Sequence, residues 1–305
     1  MENKQIVNQQ QPKAIVSVKG LLCKDNFKKR FEEILGKKSA GFISSVINIS
    51  NSPNLVGVES NSIIASAVVA ATLDLPIDPN LGFAYIVPYN DKKKGKVAQF
   101  QMGYKGFIQL AMRSGEYKTI NATPVYDGDI KRFNRFTGEL EFNEQNTNTE
   151  TVVGYLGYFK LLNGFEKYLY MTLDELQSHG KRYSQSYKSN NEWTVKNSLW
   201  TTNFESMAIK TVLKLLISKY GILSIEMQKA LQSDQGVINS NVVNGEDLSG
   251  NVEYVDNNED VVETTYEEVQ EEKKENANKE LIDIPSGKEI KEEPKQETFA
   301  DGPGF

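Results

Sequence analysis

The pattern of apolar and polar positions predicts helices in the first part of the chain. Phe27, Phe31 and Ile34 recur at intervals of three and four residues, which is the spacing of one face of a helix. A second helix is predicted over 39–50. A third is predicted over 60–73, where small apolar residues follow one another so closely that we expect burial on most sides.

The middle of the chain alternates apolar and polar residues, which predicts strands. The first of them is expected to end at Pro88, because proline cannot donate a hydrogen bond to a neighbouring strand. The dipeptide Asn163-Gly164 between two apolar runs is typical of a hairpin turn. The predicted strands cover 83–87, 96–102, 117–126, 130–136, 139–142, 152–162 and 165–170, with one helix over 104–113.

Helices return after the strands. Thr172 and Glu175 fit a capping box at the start of one helix, and a longer helix is predicted over 197–219. Helices, strands and helices therefore follow each other in blocks and do not alternate as in βαβ units. This order predicts an α+β fold.

Charge divides the chain into a basic and an acidic part. Residues 233–305 hold 20 acidic and 6 basic residues, a net charge of -14, whereas 1–232 hold 29 basic and 21 acidic residues, a net charge of +8. We therefore predict a flexible arm over 1–24, a folded core over 25–232 and a disordered acidic tail over 233–305. The basic core would attract a polyanion, and the tail would shield the core or only add solubility.

Several classes of function lack the residues that they need. The single Cys23 excludes a disulfide scaffold, and His179 is the only histidine, which disfavours a serine-histidine triad. No phosphate-binding glycine motif occurs, and the scattered carboxylates disfavour a metal-dependent nuclease. Apolar runs are too short for a membrane span and the first residues lack a secretion signal, so a cytoplasmic location is expected.

The predicted helix over 197–219 has two different faces. Ile209, Val212 and Leu213 lie on an aliphatic side that suits a core. Single-strand binding needs cations along the phosphates and flat side chains against the bases, a combination that the other side offers. A helix buried on both sides, with lysines extended to solvent, would give the same pattern, so both interpretations stay open. The residues of that side are Trp200, Phe204, Met207, Lys210, Thr211 and Lys214.

Further basic residues are compatible with the same surface. Lys105 stands in the turn Gly103-Tyr104-Lys105-Gly106, which is either a tight strand-to-helix junction or a site where a phosphate approaches the helix amides. Arg113 shares a helix side with Lys105, and Lys181-Arg182 precede a loop rich in Ser and Asn. The joint occurrence of these clusters makes nucleic acid the leading hypothesis for the ligand.

Longer stretches resemble the RecT family of phage single-strand annealing proteins. The resemblance rests on Gly82-Phe83-Ala84-Tyr85-Ile86-Val87-Pro88-Tyr89, on Gln99-Phe100-Gln101-Met102-Gly103-Tyr104-Lys105-Gly106, and on Met207-Ala208-Ile209-Lys210-Thr211-Val212-Leu213-Lys214. It covers roughly 30–225 in consistent order. An arginine often stands near the end of the last motif in the family; Lys214 keeps the charge without the planar fork of arginine.

The resemblance implies ATP-independent annealing of complementary single strands in phage homologous recombination, with no bond made or broken and no required cofactor. It also implies rings or helical filaments of the protein on DNA, a 5′–3′ exonuclease as a partner, and a location in the cytoplasm of the bacterial host. A host single-strand-binding protein is a further expected partner. The implied core is α+β, with a curved antiparallel sheet and long helices that shape a basic groove.

The alternative is a single-stranded-DNA-binding protein that protects DNA without annealing it. The residues expected to contact DNA are Gln101, Tyr104, Lys105, Arg113, Lys181, Arg182, Trp200, Phe204, Met207, Lys210, Thr211 and Lys214. Among them, the aromatic side chains would face the bases and the cations would face the phosphates. The end of the tail, Phe299 to Phe305, loosely resembles the acidic tip of bacterial single-strand-binding proteins, from which the inserted Gly304 departs.

Overall fold

A computed structural model describes residues 17–91, 94–134, 136–246, 248 and 250–254. Four helices open the fold: α1 (Val18–Leu22), α2 (Asp25–Leu35), α3 (Ser39–Ser50) and α4 (Ser60–Thr72). All residues of α4 from Ser62 to Ala71 are buried, as predicted, because their small side chains let other elements approach closely. Helix α4 is therefore the centre of the larger hydrophobic core.

A hairpin of β1 (Ala84–Asp91) and β2 (Gly95–Met102) follows, with Ala84 opposite Met102. The prediction that β1 ends at Pro88 is wrong, since Pro88 lies within the strand opposite Ala98. Within the described residues β1 pairs with β2 alone and is an edge strand, and an edge tolerates a residue without an amide hydrogen.

Helix α5 (Tyr104–Ser114) starts directly after β2. A Cβ atom on Gly103 would lie 2.0 Å from the carbonyl oxygen of Gly82, and one on Gly106 would lie 2.3 Å from that of Phe83. Only glycine fits at these two positions. Of the two interpretations of this turn, the structure thus supports the tight strand-to-helix junction.

The second half of the fold contains a three-stranded antiparallel sheet with the order β3-β6-β7, formed by β3 (Tyr117–Tyr126), β6 (Val152–Leu161) and β7 (Glu166–Thr172). A separate hairpin, β4 (Ile130–Asn134) with β5 (Glu139–Phe142), contacts β7 through the ring pairs Phe133–Tyr170 and Phe142–Tyr168. The predicted hairpins and the α+β class are confirmed, and the curvature of the sheet remains a prediction.

Helices α6 (Leu173–Tyr183), α7 (Glu192–Lys196), α8 (Leu199–Thr202), α9 (Phe204–Tyr220) and α10 (Ile225–Ser233) follow the sheet. The capping box at Thr172 and Glu175 is confirmed. The prediction of one helix over 197–219 is wrong, because the backbone of Asn203 leaves the helical region and separates α8 from α9. The aliphatic side of α9 is buried as predicted: Ile209, Val212 and Leu213 pack against Tyr155 of β6.

The folded core extends beyond both predicted boundaries. Helix α1 buries Val18, Leu21 and Leu22, although the arm was predicted to reach residue 24. After residue 232, β8 (Val237–Ile238) pairs with β9 (Val252–Glu253), and the intervening Val242, Val243 and Leu248 are buried. Short apolar pairs pack this segment against β2 and α4. The prediction of a disordered tail rested on average composition, in which such short pairs are outweighed by the acidic residues. Residues 1–16 and 255–305 of the predicted arm and tail lie outside the described residues.

Candidate nucleic-acid interface

A cavity of about 210 Å³ lies where α6, α8 and α9 meet the segment after α10. Five of the residues predicted on one side of the long helix line it, which shows that the break at Asn203 does not separate Trp200 from α9. His179, Tyr183 and Gln235 also line it and were absent from the predicted site. The full lining is His179, Tyr183, Trp200, Met207, Lys210, Thr211, Lys214, Leu215 and Gln235.

Two lysines of α9 share one buried carboxylate at this cavity. The Nζ atom of Lys210 lies 2.8 Å from Oδ1 of Asp234, and that of Lys214 lies 2.6 Å from Oδ2. The amide of Met102 also donates to Oδ1 of Asp234, at 2.8 Å. One carboxylate therefore joins α9, β2 and the end of α10, and it balances one of the two positive charges.

The two lysines differ in their access to solvent. The side chain of Lys210 is 7% exposed, whereas that of Lys214 is 29% exposed. Burial lowers the pKa of Lys210, and Asp234 counteracts this only in part. Burial alone would raise the pKa of Asp234, but the two ammonium groups outweigh it and hold that pKa below its usual range. Lys214 is thus the lysine of the pair that can reach a ligand, and Lys210 serves mainly the ion pair.

His179 adds no charge to the cavity at neutral pH. Burial first, and then the nearby cations Lys214 and Arg182, together lower the pKa of its imidazole to about 4. The ring lies 4.6 Å from that of Tyr183, measured between centroids. His179 is therefore a neutral aromatic wall beside the lysines.

Trp200 is 5% exposed and belongs to an aromatic cluster. Its indole stacks on Tyr187 at 5.9 Å between ring centroids and meets Phe204 edge-on at 5.8 Å. A Cβ atom on Gly180 would lie 2.6 Å from the indole, so α6 is pressed directly against it. Trp200 thus supports the cavity from within the core, and Phe204 and Met207 are half-buried beside it.

Exposed cations stand at the end of α6. Lys181 and Arg182 occupy its last turn, where the negative end of the helix dipole stabilises positive charge. The guanidinium carbon of Arg182 lies 5.4 Å from the ring centroid of Tyr183, which lines the cavity. Within the described residues, no carboxylate forms an ion pair with either cation, so both are available to phosphates.

Gln101 connects to the cavity through a chain of amides. Its Nε2 donates to Oε1 of Gln99 at 2.8 Å, and Nε2 of Gln99 donates to the carbonyl of Gln235, a residue of the cavity wall. Tyr104 is half-buried and packs against the cluster that contains Trp200. Lys105 is exposed, and its carbon chain passes over Gly82.

Arg113 is placed away from the cavity. Its guanidinium donates to the carbonyl of Leu73 and lies 3.6 Å from the carboxylate of Asp74, at the end of α4. A cation at this position offsets the partial negative charge of the helix end. Arg113 of α5 therefore stabilises the end of α4. It is one of the twelve residues expected to contact DNA, and the structure does not place it beside the residues that line the cavity.

The described part of the chain holds neither a candidate metal site nor a candidate membrane span. There, no three His, Cys, Asp or Glu side chains are grouped so that they could hold a metal ion. The helices of the same part are all too short or too polar to cross a bilayer.

Cations, aromatic rings and a half-exposed lysine around one cavity are features of a single-strand-binding surface. Residues 40–249 match the model of the RecT family, and the chain belongs to this family of DNA-recombination and single-strand annealing proteins. The match includes Asp234 and extends past residue 225, where the resemblance was expected to end.

Two relatives align over most of their length. The uncharacterized protein YqaK of Bacillus subtilis (strain 168) is 42% identical over 249 residues, which are 81% of this chain and 82% of that protein. Protein RecT of Escherichia coli (strain K12) is 28% identical over 213 residues, which are 68% of this chain and 76% of that protein.

Proposed function

We propose that this protein anneals complementary DNA strands without ATP and binds their backbones in a basic groove. The groove runs from Lys105 and Gln101 past the cavity to the end of α6. The observation that carries the proposal is the position of two cations at one aromatic-walled cavity: Lys214 lines the cavity, and the guanidinium of Arg182 contacts Tyr183 of its wall.

The charge of this region suits the approach of two polyanions. Residues 1–232 carry a net charge of +8, and Asp234 removes only one charge from the lysine pair of α9. Neutralised backbones can approach each other, and their sequence is then matched by base pairing and not by the protein. Annealing in this form makes and breaks no covalent bond, and no cofactor is part of the proposal.

The assembly and its partners complete the proposal. Copies of the chain associate in rings or helical filaments on DNA, so that the groove of one copy continues in the next. The partners are single-stranded DNA, the annealed duplex intermediate and a phage 5′–3′ exonuclease, with a host single-strand-binding protein as a further partner. Membership of the RecT family supports these partners and a location in the bacterial cytoplasm.

A mixed-strand assay without ATP tests the proposal. A labelled oligonucleotide is mixed with its complement, and duplex formation is followed with and without the full chain. Faster pairing supports annealing, with a non-complementary strand as the control. Unchanged or slower pairing together with tight binding indicates a protective single-strand-binding protein, and shortened strands indicate a nuclease.

A further inference from the structure

We infer that Trp193 provides the base-stacking surface of the groove, an inference that rests on the proposed function. The side chain of Trp193 is 73% exposed, whereas the side chain of Trp200, the tryptophan expected at the bases, is 5% exposed. A base needs a free ring face on which to stack. Trp200 is covered by Tyr187 and by α6, so Trp193 is the indole with a face available.

The backbone around Trp193 is held by several hydrogen bonds. Oδ1 of Asn191 accepts from the amide of Trp193 at 2.9 Å and from that of Thr194 at 3.2 Å. The carbonyl of Trp193 accepts from Nδ2 of Asn197 at 2.7 Å. A large ring on a fixed backbone loses little conformational entropy when it binds, which is what a preorganised contact requires.

Helix α7 is also tied to the helix that carries Trp200. The carbonyl of Val195 accepts from the hydroxyls of Ser198 and Thr201, at 2.8 and 2.7 Å. Thr201 belongs to α8, and Trp200 precedes it and lines the cavity. The exposed indole and a wall residue of the cavity therefore belong to one connected segment, which follows α6 and its cations after the loop 184–191.

The charge around Trp193 favours a polyanion over an apolar partner. Residues 181–196 hold four basic residues and one acidic residue, a net charge of +3. Lys196 lies three residues after Trp193, on the same side of α7, so an ammonium group accompanies the ring. A protein-docking surface would place further exposed apolar side chains beside the indole, but its neighbours on α7 are Glu192, Thr194, Val195 and Lys196, of which only the half-buried Val195 is apolar.

Tryptophan fluorescence tests this assignment, because Trp193 and Trp200 are the two tryptophans of the chain. Oligo-dT should quench the emission of the unaltered protein, and Trp193→Phe should remove most of that quenching. Trp193→Ala should weaken oligo-dT binding by at least about fivefold, the lower limit for one lost stacking contact. Trp193→Phe should bind nearly as tightly as the unaltered chain, because it keeps a ring.

Ile225→Ala is the matched control, since Ile225 is a 69% exposed apolar residue on α10, outside the groove. It should leave both quenching and affinity unchanged. If Trp193→Ala binds oligo-dT as tightly as the unaltered chain does, the inference is overturned. It is also overturned if that variant loses self-association in the absence of DNA, which would place the indole in a subunit contact. Failure of the unaltered chain to bind oligo-dT would contradict the proposed function itself.

Discussion

Asp234 and Lys210 form a buried ion pair, with 2.8 Å between the carboxylate Oδ1 and the ammonium Nζ. The pair joins the segment after α10 to the middle of α9, and the amide of Met102 adds β2 to the same carboxylate. Asp234 stands at the start of a region whose composition is acidic, yet its side chain is fully buried. The segment after α10 is thus held to the candidate groove by charge as well as by apolar contacts.

Asp234→Asn should strongly destabilise the fold. The change leaves the ammonium of Lys210 buried without a counter-charge, and breaking a buried pair in this way costs about 3–5 kcal/mol. Urea unfolding, with the free energy extrapolated to water, measures the effect. Asp174→Asn, at an exposed position in the first turn of α6, should cost less than about 1 kcal/mol. Equal losses in the two variants would contradict a structural role of the pair.

Acid should weaken the fold through His179, the single histidine of the chain. Its pKa is about 4 in the folded protein, against 6.5 for an unperturbed imidazole. The unfolded chain therefore binds the extra proton first, and stability should fall as the pH decreases from 6.5 to 4. Because the ring is partly exposed, we expect a loss of about 1–2 kcal/mol, below the full linkage value. His179→Gln should flatten this part of the pH profile in thermal unfolding, and an unchanged profile would place the titration elsewhere.

Gly180→Ala should disturb the wall between α6 and the cavity. The added methyl group would lie 2.6 Å from the indole of Trp200, and such overpacking costs about 1–3 kcal/mol. Gly41→Ala is the control, because a methyl group on Gly41 of α3 meets no atom within 4 Å. There the better helix propensity of alanine should stabilise the protein by about 0.5–1 kcal/mol. Chemical denaturation of both variants checks the opposite signs.

Much of the fold follows from local pattern, as α4, the capping box at Thr172 and the two later hairpins show. Local pattern did not predict the ends of elements that depend on contacts with distant parts of the chain. The extension of β1 past Pro88 is possible because no strand of the described part of the chain pairs with the other side of β1. No proline or glycine stands next to Asn203, so the sequence gives no sign of the helix break there.

The candidate site was also predictable only as far as local pattern reaches. A 100° periodicity brought Met207, Lys210 and Lys214 together, and all three line the cavity. It could not show that Lys210 and Lys214 share a buried counter-charge, because Asp234 lies twenty or more residues further along the chain. The apolar pair Val237-Ile238 follows Asp234 by three residues. This pair was the feature of the sequence from which the burial of Asp234 could have been predicted.

The salt dependence of binding should identify the cations that contact phosphates. Lys181→Ala with Arg182→Ala should weaken oligonucleotide binding and lower the slope of log affinity against log salt by about 1.4, about 0.7 for each lost phosphate contact. Lys29→Ala with Lys37→Ala removes the same charge from exposed positions, one on α2 and one in the turn between α2 and α3, and should keep the slope. Anisotropy titrations at several salt concentrations measure both. Equal slopes in the two double variants would argue for a general charge effect and against a groove at α6.

Two truncations should separate the folded C-terminal segment from the acidic tail that follows it. Ending the chain after Tyr254 removes 16 acidic and 6 basic residues, a net charge of -10. This variant should fold, anneal naked strands and bind DNA more tightly, most clearly at low salt, where charges are screened over about 30 Å instead of 10 Å. Ending it after Gln232 also removes Asp234 and the buried Val237, so this variant should lose stability. A full-length chain with its acidic residues after 254 changed to Asn and Gln separates charge from length, and it should bind like the first truncation. If the chain ending at Tyr254 folds but no longer anneals, the tail takes part in annealing.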